Sequence, residues 1–102
     1  MLDLRPNCEL CDCDLPPDAD NAMICTYECT YCAKCVQEKL ENVCPTCGGG
    51  FQPRPIRPQK AWFNHLGLGV HPASAKRVHK TCSDAEIAAR VARLRKLPPN
   101  RR

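Results

Sequence analysis

Ten cysteines stand among the 102 residues, and eight of them fall in pairs whose spacing suits a metal ion. Cys8 and Cys11, Cys32 and Cys35, and Cys44 and Cys47 are C-x2-C pairs, while Cys25 and Cys29 are C-x3-C. Structural Zn²⁺ takes four thiolates or imidazoles in a tetrahedron, and proteins supply them as such close pairs. A single pair also fits a redox motif, but eight thiols in register point to two structural zinc ions. Catalytic zinc keeps one position open beside three protein ligands. Eight thiols close two sites, so no enzyme is expected. A redox role for Cys32 and Cys35 would require a thioredoxin-like βαβ pattern, which is absent. Cys13 is expected to be a spare surface thiol. C-x2-C suits a knuckle better than C-x4-C, so replacing Cys11 as a ligand is only its alternative.

The elements that must position these thiols are short. Cys8-Glu9-Leu10-Cys11 and Cys44-Pro45-Thr46-Cys47 read as zinc knuckles, tight turns whose amides can bond to sulfur. Between them, Asp12 to Asp20 is a loop punctuated by Pro16-Pro17, and Ala22 to Cys25 is an extended piece. From Cys25 to Cys35 the thiols recur every three or four residues, so this segment must serve both metals. Val36 to Glu41 is a short helix candidate with Val36 and Leu40 as an i,i+4 apolar pair, and Asn42 is a plausible stop. Gly48-Gly49-Gly50 provides either a tight turn past the metal or a flexible exit. Glu9, Glu28 and Glu38 stand near ligands and are expected to be solvated surface carboxylates. Through Gln52 only twelve sizeable non-cysteine apolar side chains occur, too thin a core to hold a domain without a staple. A structural zinc contributes on the order of 10–16 kcal/mol at neutral pH, so metal should dominate stability.

Disulfides are the alternative staple. The opening MLDLRPNCEL shows no basic n-region, apolar h-region or cleavage site, and no run approaches the length of a membrane helix. A cytoplasmic protein with reduced, metal-binding thiols is therefore expected.

Charge divides the chain. Residues 1–52 carry three basic groups against nine acidic ones, whereas residues 53–102 carry twelve basic groups against Asp84 and Glu86. Such a basic tail suits either a polyanion or the chain's own acidic head. Gln52 to Pro58 reads as an extended, proline-rich spacer. Lys60 to Leu66 concentrates Trp62 and Phe63, which are expected to pack on the metal domain or a partner; stacking on single-stranded nucleic acid is the alternative. His65, His71, His79 and Cys82 are a loosely spaced candidate for a third metal site. Ser83-Asp84-Ala85-Glu86 is a capping box opening a helix through about Lys96. Ile87, Val91 and Leu94 fall on one face of it, and Arg90, Arg93 and Lys96 on another.

The order of the cysteine pairs, with a proline directly after Cys44, the seventh of the eight candidate ligands, resembles an all-cysteine RING finger. That resemblance implies interleaved wiring, with Cys8, Cys11, Cys32 and Cys35 on one zinc and Cys25, Cys29, Cys44 and Cys47 on the other. A sequential arrangement, first four and last four, is the competitor. The likeness also raises ubiquitin-ligase activity, and Leu10 matches the apolar contact such domains offer. Lys39 and Gly48 depart from the pattern of active ligases. Over about residues 2–80 the chain further resembles the bacterial domain-of-unknown-function family numbered twelve-seventy-two. The phrases that carry this are Leu4-Arg5-Pro6-Asn7-Cys8, Leu15-Pro16-Pro17, Cys44-Pro45-Thr46-Cys47-Gly48-Gly49, Arg54-Pro55-Ile56-Arg57-Pro58 and His71-Pro72-Ala73-Ser74.

The expected architecture is a small, metal-stabilised, RING-like cross-brace over residues 1–52, with two zinc sites, one short helix and little other regular structure. A proline-rich and aromatic linker follows over 53–82, then a basic amphipathic helix over 83–97 and a basic tail over 98–102. The expected function is a protein-binding adaptor or regulator. Nucleic-acid binding through residues 53–102 is the alternative, and ligase-like activity a third.

Overall fold

The computed structural model describes residues 1–79 and 82–102; Lys80 and Thr81, at the end of the expected linker, lie outside the described residues. Three short strands, β1 (Ala22–Ile24), β2 (Thr30–Cys32) and β3 (Gln52–Pro53), form a small antiparallel sheet in the order β2-β1-β3. Strand β1 pairs with β2 in the register Met23 opposite Tyr31. On its other side β1 pairs with β3, so the chain returns to the sheet just where the proline-rich spacer begins. Pro53 sits on an edge strand, where its missing N–H costs no ladder bond.

The turn from β1 to β2 runs through the second cysteine pair. Glu28 takes a left-handed φ of 65° and donates its amide to the Cys25 carbonyl at 3.0 Å, reversing the chain between Cys25 and Cys29. Strand β2 then passes straight into helix α1 (Ala33–Cys35) and a π-helical turn (Val36–Leu40). Helical backbone thus begins at Ala33, three residues ahead of the expected Val36 start, because Cys32 ends the strand and caps the helix. Glu41 and Asn42, both at positive φ, stop it.

Leu15, Tyr31, Val36, Leu40, Val43 and Phe51 form the apolar centre, with the Tyr31 and Phe51 rings edge-to-face at 5.4 Å. Helix α2 (Asp84–Leu94) completes it by burying Ile87 and Val91 in the same cluster, against the Val36 and Leu40 turn. Its N-terminus is capped as the sequence indicates, with Ser83 Oγ accepting the Glu86 amide at 3.2 Å. The helix ends at Leu94 rather than near Lys96, since the last turn tightens to Leu97 N–H on the Leu94 carbonyl at 2.9 Å. Ile87→Ala should therefore cost about 2–5 kcal/mol in urea unfolding of the metal-loaded protein. Arg93→Ala, on the exposed face, should stay within about 0.5 kcal/mol. Equal effects of the two would mean that α2 is not docked in solution.

The basic tail is tied to the head by its arginines. Arg54, only 4% exposed, donates to the carbonyls of Arg5 at 2.8 Å and Pro16 at 2.9 Å. Arg57 reaches the Leu2 carbonyl, Arg90 that of Pro45, and Arg102 that of Asn42. Arg77 pairs with Asp12 and Asp14. Trp62 and Phe63 do not pack on the metal domain: they are 67% and 80% exposed, with Leu66 and Val70 also open to solvent. The segment runs through left-handed turns at Asn64 and His65. The ammonium of Lys60 lies 5.8 Å from the centre of the Trp62 ring.

Candidate metal centres

All ten cysteines are free thiols, and two groups of them converge. In the first, the Sγ atoms of Cys8, Cys11, Cys13 and Cys32 lie within 4.8 Å of one another. The knuckle that presents them is built by backbone: the Asp12 amide closes onto the Cys8 carbonyl at 2.9 Å, and the Leu10 and Cys11 amides point at the Cys8 sulfur. Cys32 arrives from the end of β2. Cys35, one helical turn later, lies outside the tight group, yet its thiol meets those of Cys32 and Cys11. Cys13 was expected as a spare thiol; although exposed, it is a full member of the group.

In the second group, Cys25 meets Cys44 and Cys47 within the same limit. The Thr46 and Cys47 amides point at the Cys44 sulfur, and the Gly49 amide donates to Cys47 Sγ at 3.4 Å. Cys29 stands just outside this triplet, hydrogen-bonded to the thiols of Cys44 and Cys25. Gly48 carries the exit at a φ of +79°, and a Cβ there would come within 2.9 Å of Leu94. The glycines therefore serve a tight turn packed beneath α2, not a flexible exit.

The donor set fits a soft, tetrahedral cation. Cys11 and Cys32 sulfurs stand 3.8 Å apart. That is about the edge of a tetrahedron with Zn–S bonds of about 2.3 Å. Protons are unevenly shared within both groups. The Cys44 thiol, donating to Cys29, holds Cys29 down at about 5, with burial opposing it. Against the cost of burial, the Cys13 amide and neighbouring thiols hold Cys11 at about 6. Burial pushes Cys8, Cys25 and Cys35 upward, so crowded sulfurs hold protons that a metal ion would displace.

Glu9 is fully buried, not solvated: its carboxylate takes Arg5 Nη1 at 2.7 Å and the Thr30 amide, locking the first knuckle to β2. Tyr31 carries a buried hydroxyl whose titration is pushed upward by burial and by Cys44, Glu9 and Cys29. Among the described residues, His65, His71, His79 and Cys82 form no metal-binding group. His79 instead bonds the Leu10 carbonyl at 3.1 Å, and Cys82 packs on the core. No local signal marks Glu9, whose burial depends on Thr30, twenty-one residues away.

Fold and site together define a small cysteine-rich domain with two groups of thiols able to hold metal ions. The chain belongs to the family described as "Protein of unknown function (DUF1272)", whose model matches residues 1–57. It is 55% identical over 80 residues to the uncharacterized protein R02474 of Rhizobium meliloti (strain 1021), a match covering 78% of this chain and 88% of that protein. No solved structure matches it. No helix among the described residues is long and apolar enough to cross a membrane.

Proposed function

We propose that this chain is a protein-binding module held in shape by two structural zinc ions in RING-like, interleaved wiring. Cys8, Cys11, Cys32 and Cys35 hold the first ion, and Cys25, Cys29, Cys44 and Cys47 the second. The observation that carries this is the pairing across the chain: Cys8 and Cys11 meet Cys32, while Cys25 skips past it to meet Cys44 and Cys47. Thiols alone supply each group, which favours a closed structural site over a catalytic one. A reducing compartment such as the bacterial cytoplasm keeps such thiols available for metal.

The partner surface is the segment from Trp62 to Val70. Small proteins rarely leave Trp, Phe, Leu and Val side chains exposed together unless something covers them. The face around Leu10 and Lys39 is a poorer candidate, since Asp84, Ile87 and Ala88 of α2 already line it. The α2 wall beside Leu10 narrows the approach to it, which weighs against ligase-like use. Nucleic-acid binding through the tail is weakened because Arg54, Arg57, Arg77, Arg90 and Arg102 are engaged with the rest of the chain.

Photocrosslinking separates the two. With p-benzoylphenylalanine in place of Phe63, irradiation in cells should give a discrete protein adduct that Trp62→Ala abolishes. A nuclease-sensitive adduct that fades with rising salt would instead assign the segment to nucleic acid.

A further inference from the structure

The first centre has one sulfur too many. A tetrahedral zinc ion takes four ligands, yet Cys8, Cys11, Cys13 and Cys32 converge within 4.8 Å and Cys35 touches two of them. The second centre has four thiols and no fifth among the described residues. Nor does Cys13 reach the group by accident of a loose loop. Its carbonyl accepts the Cys8 amide at 2.8 Å, and Asp12 beside it holds a left-handed φ of 64°. Asn7 Nδ2 donates to Asp12, while Arg77 forks onto Asp12 at 3.1 Å and Asp14 at 2.7 Å. The five thiols also divide by exposure: Cys8, Cys32 and Cys35 are buried, whereas Cys11 and Cys13 lie at the surface.

We propose that Cys11 and Cys13 are interchangeable ligands of a single zinc ion whose other three ligands are Cys8, Cys32 and Cys35, making the first centre a zinc-exchange site. This rests on the two-zinc reading above and adds a pathway to it. In the exchange, Cys13 gives its thiol proton to water as its sulfur bonds zinc. The bond to Cys11 breaks, and the released thiolate takes a proton from water. Zinc keeps its oxidation state, its four sulfurs and its charge throughout. An exposed, displaceable ligand is also where a thiolate from another molecule can enter and draw the ion away. Cys35, Lys34, Glu38 and Lys39 line the open cleft beside Cys11 and Cys32 through which it would approach.

The test uses the full chain loaded with zinc, counted by native mass spectrometry, and with cadmium-113, read by NMR. Cys11→Ser and Cys13→Ser should each retain two metal ions with all-sulfur cadmium shifts at both centres. The double variant should lose one ion or move one resonance to the three-sulfur range. In a second measurement, zinc transfer from the native chain to a chromophoric thiol chelator should be faster than from Cys13→Ser, which lacks the internal displacing group. A metal lost from Cys11→Ser alone, or from Cys13→Ser alone, overturns the exchange, because one of them is then a fixed ligand. An all-sulfur first centre in the double variant overturns it too. A native chain that does not take up two ions sinks the zinc reading itself, so the two failures are distinct.

Discussion

Removal of zinc by a strong chelator should unfold the whole chain in one step, the largest effect expected here. Each structural zinc contributes on the order of 10–16 kcal/mol at neutral pH, whereas small domains have a net stability of about 5–15 kcal/mol. The apolar centre cannot make up that difference. Its large members, Leu15, Tyr31, Val36, Leu40, Val43 and Phe51, lie on short strands and turns that the cysteines tie together. Helix α2 should melt with the head, since eleven residues are marginal alone and Ile87 and Val91 would lose the surface they cover. Circular dichroism at 222 nm should therefore fall together with the near-ultraviolet signal of Tyr31, and both should return when zinc is restored. Acid should produce the same loss, because thiolates must take protons as the ion leaves. A cooperative fold that survives chelation would remove the metal from its central place.

The second large effect is a crossed response to two neighbouring substitutions. Cys29 directly precedes strand β2 and Cys32 ends it, with only two residues between them, yet their sulfurs fall in different groups. In cadmium-113 NMR, Cys32→Ser should disturb the resonance coupled to Cys8 and leave that coupled to Cys44 in place. Cys29→Ser should do the reverse. Cys29→Ser leaves its ion three thiolates and an open position, costing much of that ion's binding energy and with it most of the folding free energy, whereas Cys32→Ser still leaves Cys8, Cys11, Cys13 and Cys35 and should cost less. If Cys29→Ser instead unsettles Cys8, the wiring is sequential, even with two ions still bound.

A Leu10 face walled by α2 and an open aromatic segment change where binding is sought. Both were candidates in the sequence, one from a family likeness and one from composition. α2 walls the first on one side through Asp84, Ile87 and Ala88, leaving a narrow cleft, and nothing among the described residues buries Trp62 or Phe63. The tail thus does two separate things: its helix finishes the core, and its loop presents apolar side chains outward.

What the sequence determined by itself is what depends on near neighbours. Pairs spaced two or three residues apart make knuckles whatever surrounds them, because the turn brings amides onto sulfur within four residues. The Ser83 cap and the Val36 and Leu40 pair are equally local, and the helical period alone exposes them. Tertiary structure decided everything that needs a distant partner. Glu9 is buried because Arg5 and Thr30 neutralise and bond it, and Arg54 because carbonyls of Arg5, Leu15 and Pro16 face it across the head. Cys13 sits in a loop closed locally by Cys8 and Asn7, and Arg77, more than sixty residues on, pairs with both aspartates beside it. Spacing along the chain carries no record of such contacts: a charge or a thiol reads the same in a solvated loop as in a closed one, and only the fold supplies the partner that offsets its desolvation.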